Sequence, residues 1–286
     1  MDPVRRFFDQ IGDEEWDRFD KDARSRVAFE VHRRFLRRHV AEGTDVLEIG
    51  AGPGRFTIEL AQMGCRVVVG DISPVQLEAN ERRVAAAGWD SAVIERRLLD
   101  VRDLTALPDG AFDAVVAYGG PLSYAFEDAE AALSGMLRVV RPGGRIVASV
   151  MELIGTLRMF VRVIPGYAAN GRLDELKAVM DSGDNRLDSA GHPCRLFRWS
   201  EIDAMTKQLP CTVLGTSASN FLSSGDPDTI AFIEQDPALW QLLLDWEEQY
   251  CAEPGALDSG THLLFSLERV APRRRAQPSV RGSRTS

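Results

Sequence analysis

The chain contains no unbroken apolar run near the ~18 residues that a membrane-spanning helix needs. Residues 1–9 (MDPVRRFFD) also lack the apolar stretch of a secretory signal. A cytoplasmic location with no membrane partner is the expectation. The four cysteines, Cys65, Cys194, Cys211 and Cys251, lie far apart without a CxxC pair, which argues against a zinc site or a disulfide framework. No metal site is expected from this spacing. An excess of basic residues is missing too: 34 Lys and Arg stand against 43 Asp and Glu, a net charge of −9, which disfavours a nucleic-acid partner. The exception is residues 272–286 (PRRRAQPSVRGSRTS), with five Arg, no acid and no apolar periodicity, which read as a disordered basic tail. Histidine is scarce. His32 and His39 stand beside arginines and read as surface residues, His262 as a packed one, and His192 as a loop residue.

What is present is a chain of 286 residues, 44% hydrophobic, large enough to bury a full core. In residues 14–41, Val27, Val31, Phe35 and Leu36 fall at helical spacing, so one amphipathic helix is expected within an N-terminal helical segment, 1–41. Strands then alternate with helices. Strands are expected at 46–50, 66–70, 92–96, 112–118 and 145–150, with helices at 55–63, 74–87 and 127–140 between them. Ser73 and Pro74 form a helix-start signal, and Gly88 a stop. Such alternation predicts a doubly wound, mostly parallel α/β sheet with helices on both faces. This core spans 42–151. A helix at 152–164 and a polar stretch to 193 suggest a lid-like insertion at 152–198. The core resumes over 199–271, with a helix at 199–208 behind a Ser200 cap, strands at 211–217 and 262–270, and a helical insertion at 226–253. The expected sheet has seven strands.

The functional signal is the run Val46-Leu47-Glu48-Ile49-Gly50-Ala51-Gly52-Pro53-Gly54-Arg55-Phe56, a buried strand entering a glycine-rich turn and a helix. Residues without a Cβ let a ligand lie directly on backbone. A P-loop is excluded, because no GK[ST] follows. The nicotinamide fingerprint GxGxxG is not met, since its sixth position is Arg55. Glu48 adds negative charge where a diphosphate would be repelled and a cofactor ammonium attracted. About 20 residues on, Asp71 ends the second strand, where a doubly wound sheet places a carboxylate for ribose hydroxyls.

An acidic residue followed by GxGxG resembles the first motif of class I S-adenosylmethionine-dependent methyltransferases, and the likeness runs through most of residues 40–150, including the turn Arg141-Pro142-Gly143-Gly144. The resemblance implies S-adenosylmethionine as cofactor, held at Glu48, Gly50, Ala51, Gly52 and Gly54. It implies Ile72 against the adenine face, Asp100 accepting from the adenine amino group and Val101 offering its amide. Asp103 competes with Asp100, which lies nearer the strand end. The fourth strand should bring Tyr118 to the cofactor. The loop after it lacks the Asn/Asp-Pro-Pro-aromatic run of methyltransferases acting on bases or glutamine.

A small-molecule methyl acceptor, methylated at oxygen or nitrogen by in-line displacement, is therefore expected, with an RNA or protein acceptor or a non-catalytic cofactor-binding module as alternatives. Acceptor contacts are expected from Tyr124, His192 and Trp16. Tyr118 and Tyr124 read either as proton acceptors or as pocket lining, and His192 either as a base or as a solvent-facing loop residue. The sequence identifies no catalytic residue.

Overall fold

The computed structural model describes residues 2–189 and 191–270. The basic tail assigned to 272–286 lies outside them. Seven strands, β1 (Asp45–Ile49), β2 (Arg66–Asp71), β3 (Val93–Leu98), β4 (Phe112–Ala117), β5 (Val140–Met151), β6 (Cys211–Ser219) and β7 (His262–Arg269), form one sheet in the order β3-β2-β1-β4-β5-β7-β6. The pairs β1–β2, β1–β4, β2–β3 and β4–β5 are parallel, and β7 runs antiparallel to both β5 and β6. This is the doubly wound α/β sheet that the alternation predicted.

Strand periodicity explains how one sheet carries two cores. On β1, Val46 packs with Val67, Val116, Phe56 and Leu60 on one face, while Leu47 and Ile49 join Val115, Leu133, Met136 and Phe265 on the other. Both sets are buried, as expected of strands covered by helices on both sides. The order of strands reverses between β1 and β4, so a crevice opens at their C-terminal ends, where such sheets bind ligands.

The N-terminal segment holds the expected amphipathic helix, with Val27, Val31, Phe35 and Leu36 buried on it, and has further helical structure ahead of it. It forms α1 (Pro3–Ile11), a 3₁₀ stretch Gly12–Phe19 and α2 (Ala23–His39). Asp2 caps α1, its Oδ1 accepting from the Val4 and Arg5 N–H groups with Pro3 in the first turn, and Asp22 caps α2 through the Ser25 N–H. His32 and His39 are corrected, being 3% and 8% exposed on the face of α2 turned to the sheet.

Around the crevice, α3 (Arg55–Gln62) follows β1 and α4 (Pro74–Ala86) follows β2, the latter started by the Ser73 side chain accepting from the Gln76 N–H. A short α5 (Pro121–Tyr124) follows β4, and α6 (Ala129–Val139) leads to β5. The stretch 152–198 holds α7 (Leu153–Phe160), α8 (Ile164–Ala169) and α9 (Leu173–Ser182). It is tied back to the sheet by the Glu152–Phe197 bridge. Helix α10 (Trp199–Lys207) starts at Arg198, whose N–H donates to Glu201 Oε2 at 2.9 Å, and not at a Ser200 cap. The helical span after β6 is two helices, α11 (Pro227–Glu234) and α12 (Pro237–Cys251), because Asp236 and Pro237 start a new one. Among the described residues no helix is long and apolar enough to cross a membrane, and the four cysteines are free.

Candidate functional site

The C-terminal ends of β1, β2, β3 and β4 converge on a cleft. Its floor is the turn between β1 and α3, where Gly50, Ala51, Gly52 and Pro53 line the space with backbone. Gly52 has φ +52°, and its N–H donates to Asp71 Oδ2 at 2.8 Å, so the end of β2 holds the turn in shape. A Cβ built on Gly52 meets only Glu15 Cγ, at 3.9 Å. A side chain there would stand in the gap between floor and cover, which makes this stretch a backbone cradle. Asp71 Oδ1 accepts from the Ser73 N–H at 2.9 Å. Burial pushes the Asp71 carboxyl up to about 6, against the opposing bonds from Ser73 and Gly52.

Asp100 and Val101 stand on the rim with Ile72 and Leu99. Arg102 grips Asp100 through Nε at 2.9 and 3.0 Å and also pairs with Asp2 at the start of α1. That grip fastens the N-terminal helix across the cleft. Asp103, the competing acid, is spent on Thr105 and does not line the cleft.

Tyr118 is buried, and its ring lines the cleft while its hydroxyl donates to the His32 carbonyl at 3.2 Å. Burial raises its pKa well above the ordinary tyrosine value, so it stays a neutral phenol. Tyr124 lines the same cleft, and its hydroxyl lies 2.7 Å from His192 Nε2. The His192 ring packs on Phe7 at 4.2 Å, and Tyr124 meets Phe8 edge-on at 5.1 Å. His192 is thus no solvent-facing residue. It joins the 152–198 segment to α1, and burial, with Arg18 nearby, lowers it to about 4.

Besides His192, which touches the cleft only through Tyr124, three expected site residues lie outside the lining. Glu48 faces away from the cleft and accepts from Thr57 Oγ1 at 2.6 Å, with Asn80 Nδ2 donating to that hydroxyl at 2.9 Å. Burial pushes Glu48 up to about 8, so it carries little charge at neutral pH and cannot sort cofactors by the charge expected of it. Gly54 belongs to the α3–α4 contact, where a Cβ would come within 2.9 Å of Val84 Cγ2. Trp16 does not line the cleft either. Its ring lies under the guanidinium groups of Arg55 and Arg83, at 4.1 and 4.5 Å, and its carbonyl accepts from Arg55 Nε at 3.1 Å. Arg55, notable in the sequence only as a fingerprint mismatch, anchors the N-terminal cover.

That cover is what sequence reading missed. Val4, Phe8, Glu15, Arg18 and Phe19 line the cleft from above, and Arg102 from the side. The Asp2-Pro3 pair was a signal that could have marked a first helix, but nothing in the sequence said where that helix would lie.

Comparison with known proteins agrees with this geometry. Residues 46–144 match the family model described as a methyltransferase domain. A demethylmenaquinone methyltransferase of Thermus thermophilus is 38% identical over 104 residues, covering 36% of this chain and 44% of that protein. The S-adenosyl-L-methionine-dependent Diels-Alderase iccD of Talaromyces variabilis is 36% identical over 112 residues, 38% of this chain and 37% of its own. Methyltransferase GfsG of Streptomyces halstedii is 30% identical over 184 residues, 63% of each chain. The matched segments therefore span less than two thirds of these relatives. Among solved structures, the [4+2]-cyclase SpnF superposes with a TM-score of 0.61 at 14% identity, over 94% of this chain and 96% of that one. A putative methyltransferase in complex with the Haloferax volcanii Trm112 activator superposes with a TM-score of 0.62 at 17% identity, over 95% and 100%. These two share the fold. Residues 46–144 are thus a methyltransferase domain, and the sheet order, the glycine turn and the carboxylate at the end of β2 give the chain the Rossmann-like fold of class I S-adenosylmethionine-dependent methyltransferases.

Proposed function

We propose that the protein transfers the methyl group of S-adenosylmethionine to an oxygen or nitrogen nucleophile of a small molecule by in-line displacement. The observation that carries this reading is the cleft itself: a backbone floor at Gly50–Gly52, a buried carboxylate at Asp71 and the Asp100–Val101 rim on one face. That donor and acceptor set fits the cofactor. Asp71 would accept from ribose hydroxyls, Asp100 from the adenine amino group, and Ile49, Ile72, Leu99 and Val101 give apolar walls for the ring. When bound, the cofactor supplies a carbon already activated by a positive sulfur. The chain's own residues then have to orient the acceptor and exclude water, and positioning alone is worth about 7–11 kcal/mol. The N-terminal cover suits that task, since α1 and the 3₁₀ stretch roof the cleft.

An enclosed cleft favours a metabolite over a macromolecule. The net charge of −9 disfavours RNA. Small-molecule acceptors are named among the structural neighbours, including geranyl diphosphate and 1,6-didemethyltoxoflavin. A second reading, cofactor binding without methyl transfer, is favoured by the likeness to iccD, named as a Diels-Alderase.

Calorimetric titration with S-adenosylmethionine, S-adenosylhomocysteine and NAD, followed by a mixed panel of phenols and amines, separates these readings. Binding of the first two with methylation of a panel member is expected. Cofactor binding with no transfer to any acceptor favours the second reading, and binding of NAD alone overturns both.

A further inference from the structure

A second pocket adjoins the cleft, and the two share Arg18, Phe19 and Gly119 in their walls. Gly119 directly follows Tyr118, so the junction lies at the end of β4. The shared wall is thin. A Cβ on Gly119 would lie 3.4 Å from Arg18 Nη2, and the Arg18 guanidinium lies over the Phe19 ring at 4.4 Å. Arg18 forms an ion pair with Glu15, Nε to Oε1 2.7 Å, without the alignment of a hydrogen bond. The remaining lining includes His32, His262, Asn220, Arg24 and Met159.

His32 Nδ1 lies 2.8 Å from the Ala28 carbonyl, which has no proton to give, so Nδ1 holds the hydrogen and Nε2 presents a lone pair. Thr261 Oγ1 lies 3.2 Å from His262 Nδ1 and 3.4 Å from Asn220 Oδ1, on the same cavity wall. Neither Nε2 makes a hydrogen bond among the described residues. The rings stand 5.7 Å apart, and His32 meets Tyr118, a wall of the cleft, edge-on at 5.0 Å. The lone pair on His32 Nε2 suits a ligand that donates hydrogen. A neutral amine attacks through its own lone pair and sheds its proton afterwards, whereas a hydroxyl must lose its proton as it attacks. A base beside the junction therefore serves a hydroxyl.

Resting on the methyl-transfer reading, we propose that this second cavity holds the acceptor, that the acceptor is a phenol or enol, and that His32 Nε2 takes its hydroxyl proton. The acceptor oxygen gives its proton to Nε2 and forms a bond to the methyl carbon. The carbon–sulfur bond breaks with its electron pair left on sulfur, and the imidazolium then returns the proton to solvent. Arg18, Tyr118 and His262 are the titratable groups facing His32. Burial foremost, with Arg18 adding, lowers His32 to about 4, so its lone pair is free at neutral pH, and as a weak base it takes the proton only as the oxygen bonds to the methyl carbon.

The test compares the parent, His32→Gln and, as a control for losing a buried imidazole outside both cavities, His39→Gln. Guaiacol, protonated at neutral pH, and 4-nitrophenol, largely ionised at about pH 8, are the probes, with amines alongside. Expected are a loss of about 10²-fold in kcat on guaiacol for His32→Gln, 4-nitrophenol turnover within about twofold, and unchanged S-adenosylmethionine affinity. The variant's guaiacol rate should climb with pH as phenolate forms, while the parent's stays flatter. Histidine side-chain nitrogen spectra should find His32 neutral and protonated at Nδ1 near pH 6. Equal losses on both phenols, no loss on either, or a proton on Nε2 overturns the proposal. So does methylation of amines but of no phenol, an outcome that leaves the methyltransferase reading standing. Failure to bind the cofactor at all overturns that reading and this one with it.

Discussion

Gly52 and Gly54 lie two residues apart in one motif, yet the structure gives them opposite jobs, and substituting each by alanine separates them. Both have positive φ, +52° and +101°, so alanine costs each about 1–2 kcal/mol in backbone strain. At Gly52 the new methyl meets only Glu15 Cγ at 3.9 Å, so strain is the whole cost to the fold. A ligand resting on that floor would have to move off, and an overpacked contact costs about 1–3 kcal/mol, or roughly 5- to 150-fold in affinity. At Gly54 the methyl would lie 2.9 Å from Val84 Cγ2 and 3.1 Å from Asn80 Nδ2, adding about 1–3 kcal/mol to the strain. Gly54→Ala should therefore destabilise by about 2–5 kcal/mol, while the folded fraction binds within about threefold of the parent. Urea unfolding measures the first quantity and calorimetry with S-adenosylmethionine the second. If Gly52→Ala binds as the parent does, or if Gly54→Ala loses more affinity than Gly52→Ala, the cradle is misassigned.

Other expectations follow from neighbouring residues. Asp71→Asn should weaken S-adenosylmethionine binding by about tenfold or more, the scale of a hydrogen bond to a charged acceptor; unchanged affinity in the folded variant would sink the ribose role. Glu48 is raised in the folded state to about 8 from an ordinary 4.5, so its contribution to stability is full below about pH 4.5 and lost as pH climbs through about 8. Between about pH 6.5 and 8.5, above the Asp71 titration near 6, the urea midpoint should fall less in Glu48→Gln than in the parent; equal slopes refute the assignment. Trp16→Ala removes the ring that Arg55 and Arg83 cover, so limited proteolysis within residues 1–20 and cofactor dissociation should both accelerate while the core melts within a few degrees of the parent. A cover that stays equally resistant would show that Arg102 and Asp2 hold it without Trp16.

Much of the fold was legible because it rests on local chemistry. Apolar runs such as Val67-Val68-Val69, the Ser73-Pro74 helix start and the glycine turn act within a few residues, and the strands and helices of the core stand close to where those signals put them. The positions of Gly50, Gly52, Asp71, Asp100 and Val101 on one cleft follow from the same logic, since a doubly wound sheet brings its strand ends together. Tertiary structure alone decided the rest. Whether Glu48 faces ligand or core depends on which side of the turn its side chain leaves, and Thr57 with Asn80 claims it. His32 and His39 sit among arginines in sequence, but α2 turns that face to the sheet, and burial removes their charge. The roof over the cleft, the link from Tyr124 through His192 to Phe7, and the second cavity joining α2 to the start of β7 are contacts between residues far apart in the chain. Periodicity and spacing report on neighbours in sequence, and these features exist only once distant segments pack.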